Sequence, residues 1–529
     1  MRLRRIGHLA RSDHSRLNLY VCKHTNKVAS VRKPDRVLMR DAEWSALARF
    51  VGHPDPQLRL GVVSGRRRVG KSYLLRALAE TVGGLYVSAV AEESVVAARQ
   101  RFAADIARYA GMGPELVADT GWQSLLTTAI ELTARRGDGP GVLVIDELPY
   151  WMAHSPELPG LLQLLYDQSQ AGHGPSGRVI VCGSAMSVMN ELLSGTKALR
   201  GRAAIDLRLR AFDLPGMARH WGIGDSSAAL RVHAILGGSP GYRNLANVDP
   251  PRSLVDVREW AAATVLDPRQ ALFSASEAEY LLREDPKFSG SALHYAIINA
   301  VAAGATGPAK IGALLEQPRT TVTRPVEALV SAGFLRYESD PLWERRPVIT
   351  IADPIIRFHN LITVPQRDLV ETGQSVEAWR RAEPTFLSRI LGPHFEDCAR
   401  DWLRTQADPA LRGEASQITA TVVNDRQGQA KHEIDVVAID KRAGRAVVSL
   451  VGEAKATLTR RGVADLDRLE RLKALLSQHG HDTTRAILAI FSTEGFHPDL
   501  IGTARRRGDV LLVDLPALVG GGDVPVRPG

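Results

Sequence analysis

Two sets of residues in this chain have the types and spacing that phosphate chemistry requires. The first is Gly65-Arg66-Arg67-Arg68-Val69-Gly70-Lys71-Ser72, a G-x-x-x-x-G-K-S string that follows an apolar run and opens a helix-forming one. Glycine at 65 and 70 lets the backbone curl so that successive N–H groups and the helix N-terminus face phosphate oxygens. Lys71 then reaches the β- and γ-phosphates, and the Ser72 hydroxyl ligates Mg²⁺. A nucleotide-binding P-loop is expected, with an ordinary glycine turn as the bland alternative.

The remainder of such a site belongs on neighbouring strands. Gly141 to Glu147 is an apolar run ending in two carboxylates, so Asp146 is expected to face Mg²⁺ and Glu147 to polarise an attacking water. A strand ending in Asp-Glu is a weak signal when it stands alone. Arg178 to Ser184 is a third apolar run, and Ser184 either senses the γ-phosphate or simply closes the strand. Arg202 is a candidate arginine finger, in cis or from a neighbouring subunit of a homo-oligomer; the alternative is a solvated surface arginine. Leu236 to Tyr242 reads as a rigid Gly-Gly-Ser-Pro-Gly turn between helices, either touching the nucleotide or acting structurally.

The second set lies near the C-terminus. Glu433 to Ile439 and Ala446 to Lys455 read as adjacent strands, and residues two apart on a strand share a face, so Glu453 and Lys455 point the same way. With Asp435 opposite, two carboxylates can hold Mg²⁺ while Lys455 orients or activates a water. Glu396, on an expected helix from Leu387 to Thr405, can face the same metal. Such a site suits phosphodiester hydrolysis, because the metal lowers the water's pKa and neutralises charge on the pentavalent phosphorus. The alternative is an exposed ion pair on one strand face.

The elements that must position these residues fall into three groups. From 36 to 262, apolar strand-like runs alternate with helical stretches, which predicts a P-loop NTPase domain with a parallel α/β sheet. From 263 to 368 the order is a short helix at Lys310 to Leu315, a turn, a helix at Thr320 to Ala332 and a hairpin of Gly333 to Tyr337 with Pro347 to Ile351. That order predicts a winged helix-turn-helix, with Arg319, Thr320, Thr321, Thr323 and Arg324 on the recognition helix. Pro325 fits only near that helix's first turn. Such folds bind DNA or serve as protein spacers. From 376 to 518 the order α-β-β-β-α-β predicts a restriction-endonuclease-like α/β domain.

Composition sets the outer limits. At 529 residues and 44% hydrophobic content, about three packed domains are expected. The three cysteines, Cys22, Cys182 and Cys398, have no C-x-x-C spacing, so neither a disulfide framework nor a cysteine zinc site is expected. No apolar stretch approaches membrane-spanning length, and the basic N-terminus does not suit a signal peptide, so a soluble, cytoplasmic protein without a membrane partner is expected. The net charge of +9 is matched by the first forty residues alone, which hold eleven Lys or Arg against two Asp. Residues 1–35 are accordingly read as a basic leader, a flexible arm or a solvated tail, and the pI supports no DNA claim.

Taken together, the triple-arginine P-loop, Asp146-Glu147, Cys182-Gly183-Ser184, the Gly-Gly-x-Pro turn, the helix-turn-helix and the C-terminal E-I-D…G-E-A-K resemble the archaeal-type ATPase family. These are AAA-like, STAND-related P-loop proteins, many with a PD-(D/E)XK nuclease-like C-terminal domain. The resemblance covers about residues 36 to 518. It implies ATP and Mg²⁺ at Lys71, Ser72 and Asp146, with Glu147 as the hydrolytic carboxylate. It also implies a nuclease-type site at Glu396, Asp435, Glu453 and Lys455. The chain departs from the family's frequent threonine at Ser72 and frequent tyrosine at Arg200, and the latter weakens the finger assignment. The expected function is an ATPase coupling nucleotide state to a winged helix and a nuclease-like domain acting on DNA. The alternative is a non-catalytic nucleotide switch that binds nucleic acid or protein without cleavage.

Overall fold

The computed structural model describes residues 31–527, apart from 114, 116, 118–120, 136–140, 196, 277–281, 283–284, 286, 289, 341, 343–347, 426–427 and 443–444. Nearly all of the expected basic leader therefore lies outside the described residues, as does Pro347.

The first sheet has five strands: β1 (Arg59–Ser64), β2 (Leu85–Ser88), β3 (Val142–Asp146), β4 (Arg178–Gly183) and β5 (Ala203–Arg208). Their spatial order is β2-β3-β4-β1-β5, and every neighbouring pair is parallel. The central strands β3 and β4 are buried along their whole length because helices cover both faces of the sheet. The edge strand β5 instead alternates half-buried and exposed residues, so its sequence carries no continuous apolar run. Strand order and P-loop position define a P-loop NTPase α/β fold. β1 sits where the chain switches direction across the sheet, the place at which such folds open a ligand crevice.

The second group contains the helices Pro308–Leu314 and Arg319–Ser331 and a hairpin of β6 (Leu335–Glu338) with β7 (Val348–Ile351). Pro325 lies in the interior of the second helix, not in its first turn. An interior proline costs about 3 kcal/mol of helix stability, and burial of Val322, Val326 and Leu329 on one face of that helix offsets it. The first-turn side chains Arg319, Thr320 and Thr321, and Arg324 beyond them, are exposed.

The third group is a five-stranded mixed sheet of β8 (Gln417–Asp425), β9 (Ala430–Arg442), β10 (Arg445–Lys455), β11 (Ile487–Ser492) and β12 (Val510–Asp514), with the helix Val463–Gln478 between β10 and β11. β8, β9 and β10 pair antiparallel, whereas β10, β11 and β12 pair parallel. The helix Gly392–Thr405 precedes this sheet and continues a π-helical turn at Phe386–Leu391. Leu387 to Thr405 is therefore helical throughout, as expected, with a change of pitch at Gly392.

One buried apolar cluster joins the three groups, running through Leu230, Leu329, Phe358, Trp402 and Leu518. Among the described residues no helix is long and apolar enough to cross a membrane.

Candidate functional site

The P-loop follows β1 directly, and the helix Lys71–Val82 starts at its end. Gly70 adopts a left-handed conformation with φ +94°, which glycine tolerates without Cβ strain. Lys71 is buried at 4% exposure, and its Nζ lies 3.2 Å from the Arg66 carbonyl oxygen inside the loop. Arg40, which no motif singles out, braces the loop by donating to the carbonyls of Val69 and Arg210. Its guanidinium also lies over the Phe212 ring.

The carboxylates arrive from β3. Asp146 is buried, and its Oδ2 accepts the Tyr86 hydroxyl while Oδ1 accepts the Glu147 N–H at 3.0 Å. Burial and the Asp146 charge both push the Tyr86 phenol well up. Glu147 has φ +52°, a conformation rare for a residue with Cβ, and its Oε2 accepts both the N–H and the hydroxyl of Ser184 at 2.9 Å. Ser184 follows β4, so the expected sensor residue and the expected hydrolytic carboxylate are in direct contact. The adjacent Cys182 thiol is pushed well up by complete burial and by Asp146.

The Gly-Gly-Ser-Pro-Gly turn rests on the P-loop. The Gly241 N–H donates to the Arg68 carbonyl at 3.0 Å, and a Cβ on Gly241 would sit 2.7 Å from the Arg68 Cβ. The turn thus packs against the P-loop as well as linking helices.

Arg202 requires a correction. It immediately precedes β5, whose Ala203 pairs with Leu60 near the start of β1, whereas the P-loop leaves the far end of β1 after Ser64. Asp167 holds its guanidinium through two bonds of 2.9 and 3.0 Å. A strand length separates Arg202 from the phosphate site, so it is not a finger in cis. The arginines that β5 does deliver to the P-loop end are Arg208 and Arg210, which the sequence reading missed. Together with Arg66 and Arg67 they line a cavity of about 840 Å³ between the P-loop, the β6–β7 hairpin and the helix Gly392–Thr405. Burial and the neighbouring Arg210 push the Arg208 guanidinium below its usual range.

Arg66 reaches out of the P-loop. It forms an ion pair with Asp353, just after β7, and its guanidinium stacks over Phe334 at 4.5 Å. The residues flanking the hairpin thus touch the phosphate loop directly.

The C-terminal set also comes together. Gly452 on β10 pairs with Val436 on β9, which places Asp435 beside Glu453. The Asp435 Oδ2 accepts the Ala454 N–H at 2.9 Å, and Lys455 Nζ lies 3.1 Å from Asp435 and 3.0 Å from Glu453. Burial opposes the Lys455 charge, but the two carboxylates outweigh it and hold its pKa above the usual range. Glu396 faces this group from the helix Gly392–Thr405; burial, then the Asp435 charge, raises its carboxyl to about 7. Arg400 donates to the Asp435 carbonyl at 2.6 Å and pairs with Asp397. The Asp397 carboxyl, which burial alone would raise, is held well below its usual range by Arg336 and Arg400. The Glu453 Oε2 is buried without a hydrogen-bond partner, a costly state that a bound cation would relieve.

No family model and no curated protein matches the chain. Among solved structures, the chain is similar to the Walker-type ATPase of Pyrococcus abyssi, at 18% identity and a TM-score of 0.45 over 62% of this chain and 97% of that one. It is similar to the ORC2 protein of Aeropyrum pernix in its ADPNP–ADP complexes, at 15% identity and a TM-score of 0.41 over 66% and 97%. A third likeness is to a STAND protein with a tetratricopeptide-repeat sensor from Pyrococcus horikoshii, at 11% identity and a TM-score of 0.21, over 67% of this chain and 47% of that one. At these levels the assignment of fold rests on the chain's own strand order and P-loop.

Proposed function

We propose that the chain binds and hydrolyses ATP and that its nucleotide state governs a winged helix and a metal-dependent, nuclease-like C-terminal domain acting on DNA. The observation that carries this reading is the convergence of Lys71, Ser72, Asp146, Glu147 and Ser184 where β1, β3 and β4 end. Lys71 and the P-loop N–H groups bind the phosphates, and Ser72 with Asp146 would hold Mg²⁺, which neutralises charge on the transferred phosphoryl group. Ser184 holds Glu147 through Oε2 alone, which orients the carboxylate and leaves Oε1 to position the attacking water. Lys71→Ala tests the assignment by calorimetry; unchanged ATP affinity would sink it.

In the C-terminal domain, Asp435, Glu453 and Glu396 are the residues that would hold the metal, and the partnerless Glu453 Oε2 fits them for it. Lys455 would then turn from the carboxylates towards the water or the scissile phosphate. A chain of contacts supports coupling to the P-loop. Arg66 pairs with Asp353 beside β7; on β6, Arg336 pairs with Asp397, which adjoins Glu396 and binds Arg400. Arg66 would be shared between Asp353 and a bound phosphate, which would loosen the hairpin end of this chain. The exposed Arg319, Thr320, Thr321 and Arg324 are the side chains offered to DNA.

One observation favours the non-cleaving switch: Lys455 bridges both carboxylates and Arg468 pairs with Glu453 at 3.3 Å, as in a structural ion-pair cluster. Plasmid incision in Mg²⁺ or Mn²⁺ that is lost in Lys455→Ala decides for the nuclease, whereas intact ATP binding without incision decides for the switch.

A further inference from the structure

We infer that His233, His394 and Cys398 form a transition-metal site, suited to Zn²⁺, that clasps the helix Ser226–Leu236 to the helix Gly392–Thr405. His394 and Cys398 stand one turn apart on the same helix face, and His233 meets them from the last turn of the other helix. One ligand atom from each of the three lies within 4.8 Å of the others. His394 and Cys398 are buried, and His233 is half-buried.

The local chemistry is that of a metal ligand set. The His233 Nε2 faces the Phe212 carbonyl at 3.4 Å, which places its proton there and leaves the Nδ1 lone pair turned inward. That Nδ1 lies 2.8 Å from the His394 Nε2, which donates to it when His233 carries its proton on Nε2. Nearby carboxylates are engaged elsewhere: Asp397 with Arg336 and Arg400, Asp401 with Arg404, and Asp213 with the Gly216 N–H and Gln406. The donors left are two imidazoles and one thiol, a borderline-soft set that selects Zn²⁺ over Mg²⁺. All three residues line the same 840 Å³ cavity, so a fourth position is open to water.

Loading needs no redox partner. The Cys398 S–H proton leaves to solvent as the sulfur–metal bond forms, and the His394 proton passes from Nε2 to Nδ1, so one proton is released per metal. The two nitrogens must separate from 2.8 Å to about 3.3 Å to sit at tetrahedral positions with bonds of about 2.0 Å. The positions 233, 394 and 398 share no local spacing, so the site is invisible to a search for C-x-x-C.

The test is a Co²⁺ titration of the chelator-treated full chain carrying Asp435→Ala, which removes a ligand of the proposed Mg²⁺ site. The expected result is one equivalent of Co²⁺ with a thiolate-to-metal charge-transfer band, displaced by Zn²⁺, and lost in Cys398→Ser with an unchanged circular dichroism spectrum. His233→Gln is the second variant and should weaken Co²⁺ binding by 10-fold or more. No charge-transfer band, a band that survives Cys398→Ser, or one that disappears with Cys22→Ser instead would overturn the inference.

Discussion

The P-loop site and the C-terminal carboxylate cluster are built in opposite ways. The P-loop site takes its anion donors from one contiguous string, backbone N–H groups and a helix N-terminus, together with the buried Lys71. The C-terminal site gathers carboxylates from a helix and two strands, and it already holds a cation, Lys455, between Asp435 and Glu453. The first is arranged to receive negative charge; the second is arranged to receive positive charge. Contiguity makes the first site tolerant of movement elsewhere in the fold, whereas the second exists only while the helix Gly392–Thr405 stays packed on β9 and β10.

The largest expected effect separates the sites most sharply. Lys71→Ala should weaken ATP binding about 100-fold or more, because a charge-assisted phosphate contact of roughly 3 kcal/mol is lost, and calorimetry reads it. It should leave the C-terminal site intact, seen as unchanged Mn²⁺ binding. Next, Lys455→Met removes the cation shared by Asp435 and Glu453, while Arg468 stays 3.3 Å from Glu453. Metal-free stability should fall by about 2–4 kcal/mol in urea unfolding, and Mn²⁺ should restore most of it. Failure of Mn²⁺ to do so would mark the cluster as structural.

Glu396 gives a smaller, pH-gated effect. Its carboxyl is raised to about 7 in the fold, so its neutral form is favoured there; the stability this confers is complete below about pH 4.5 and is lost as pH rises towards 7. Glu396→Gln should therefore stabilise the metal-free protein by about 1–3 kcal/mol at pH 8 and by little at pH 4, measured as a difference in denaturation midpoints. Asp353→Asn frees Arg66 for phosphate and should raise ATP affinity by about 2- to 10-fold, since a partly exposed ion pair is worth on the order of 1 kcal/mol. Unchanged affinity would break the proposed link between hairpin and P-loop. The smallest effect belongs to Arg202→Ala, which should leave ATP affinity within about twofold, because that side chain sits at the other end of the sheet.

These contrasts also explain what was legible in advance. The P-loop, β3 and β4 were readable because a parallel strand buried on both faces writes a continuous apolar run and ends at the ligand. Asp435, Glu453 and Lys455 were readable as a pattern because period-two alternation fixes which face a strand residue takes, and the antiparallel register brought them together. Arg202 was misplaced because β5, an edge strand with alternating burial, hid where its ends lie relative to the P-loop. Arg40, Asp353 and Arg208 act through contacts between segments distant in sequence, and no local spacing encodes those. Pro325 marked the wrong helix turn because packing of Val322, Val326 and Leu329 outweighed the local penalty.

The most direct test of the central claim is plasmid incision in Mg²⁺ or Mn²⁺, with and without ATP, by the unaltered chain, Lys71→Ala and Asp435→Ala. The account predicts incision that responds to ATP, loses that response in Lys71→Ala and disappears in Asp435→Ala. Incision that persists in Asp435→Ala, or none in any condition while ATP still binds, would contradict it.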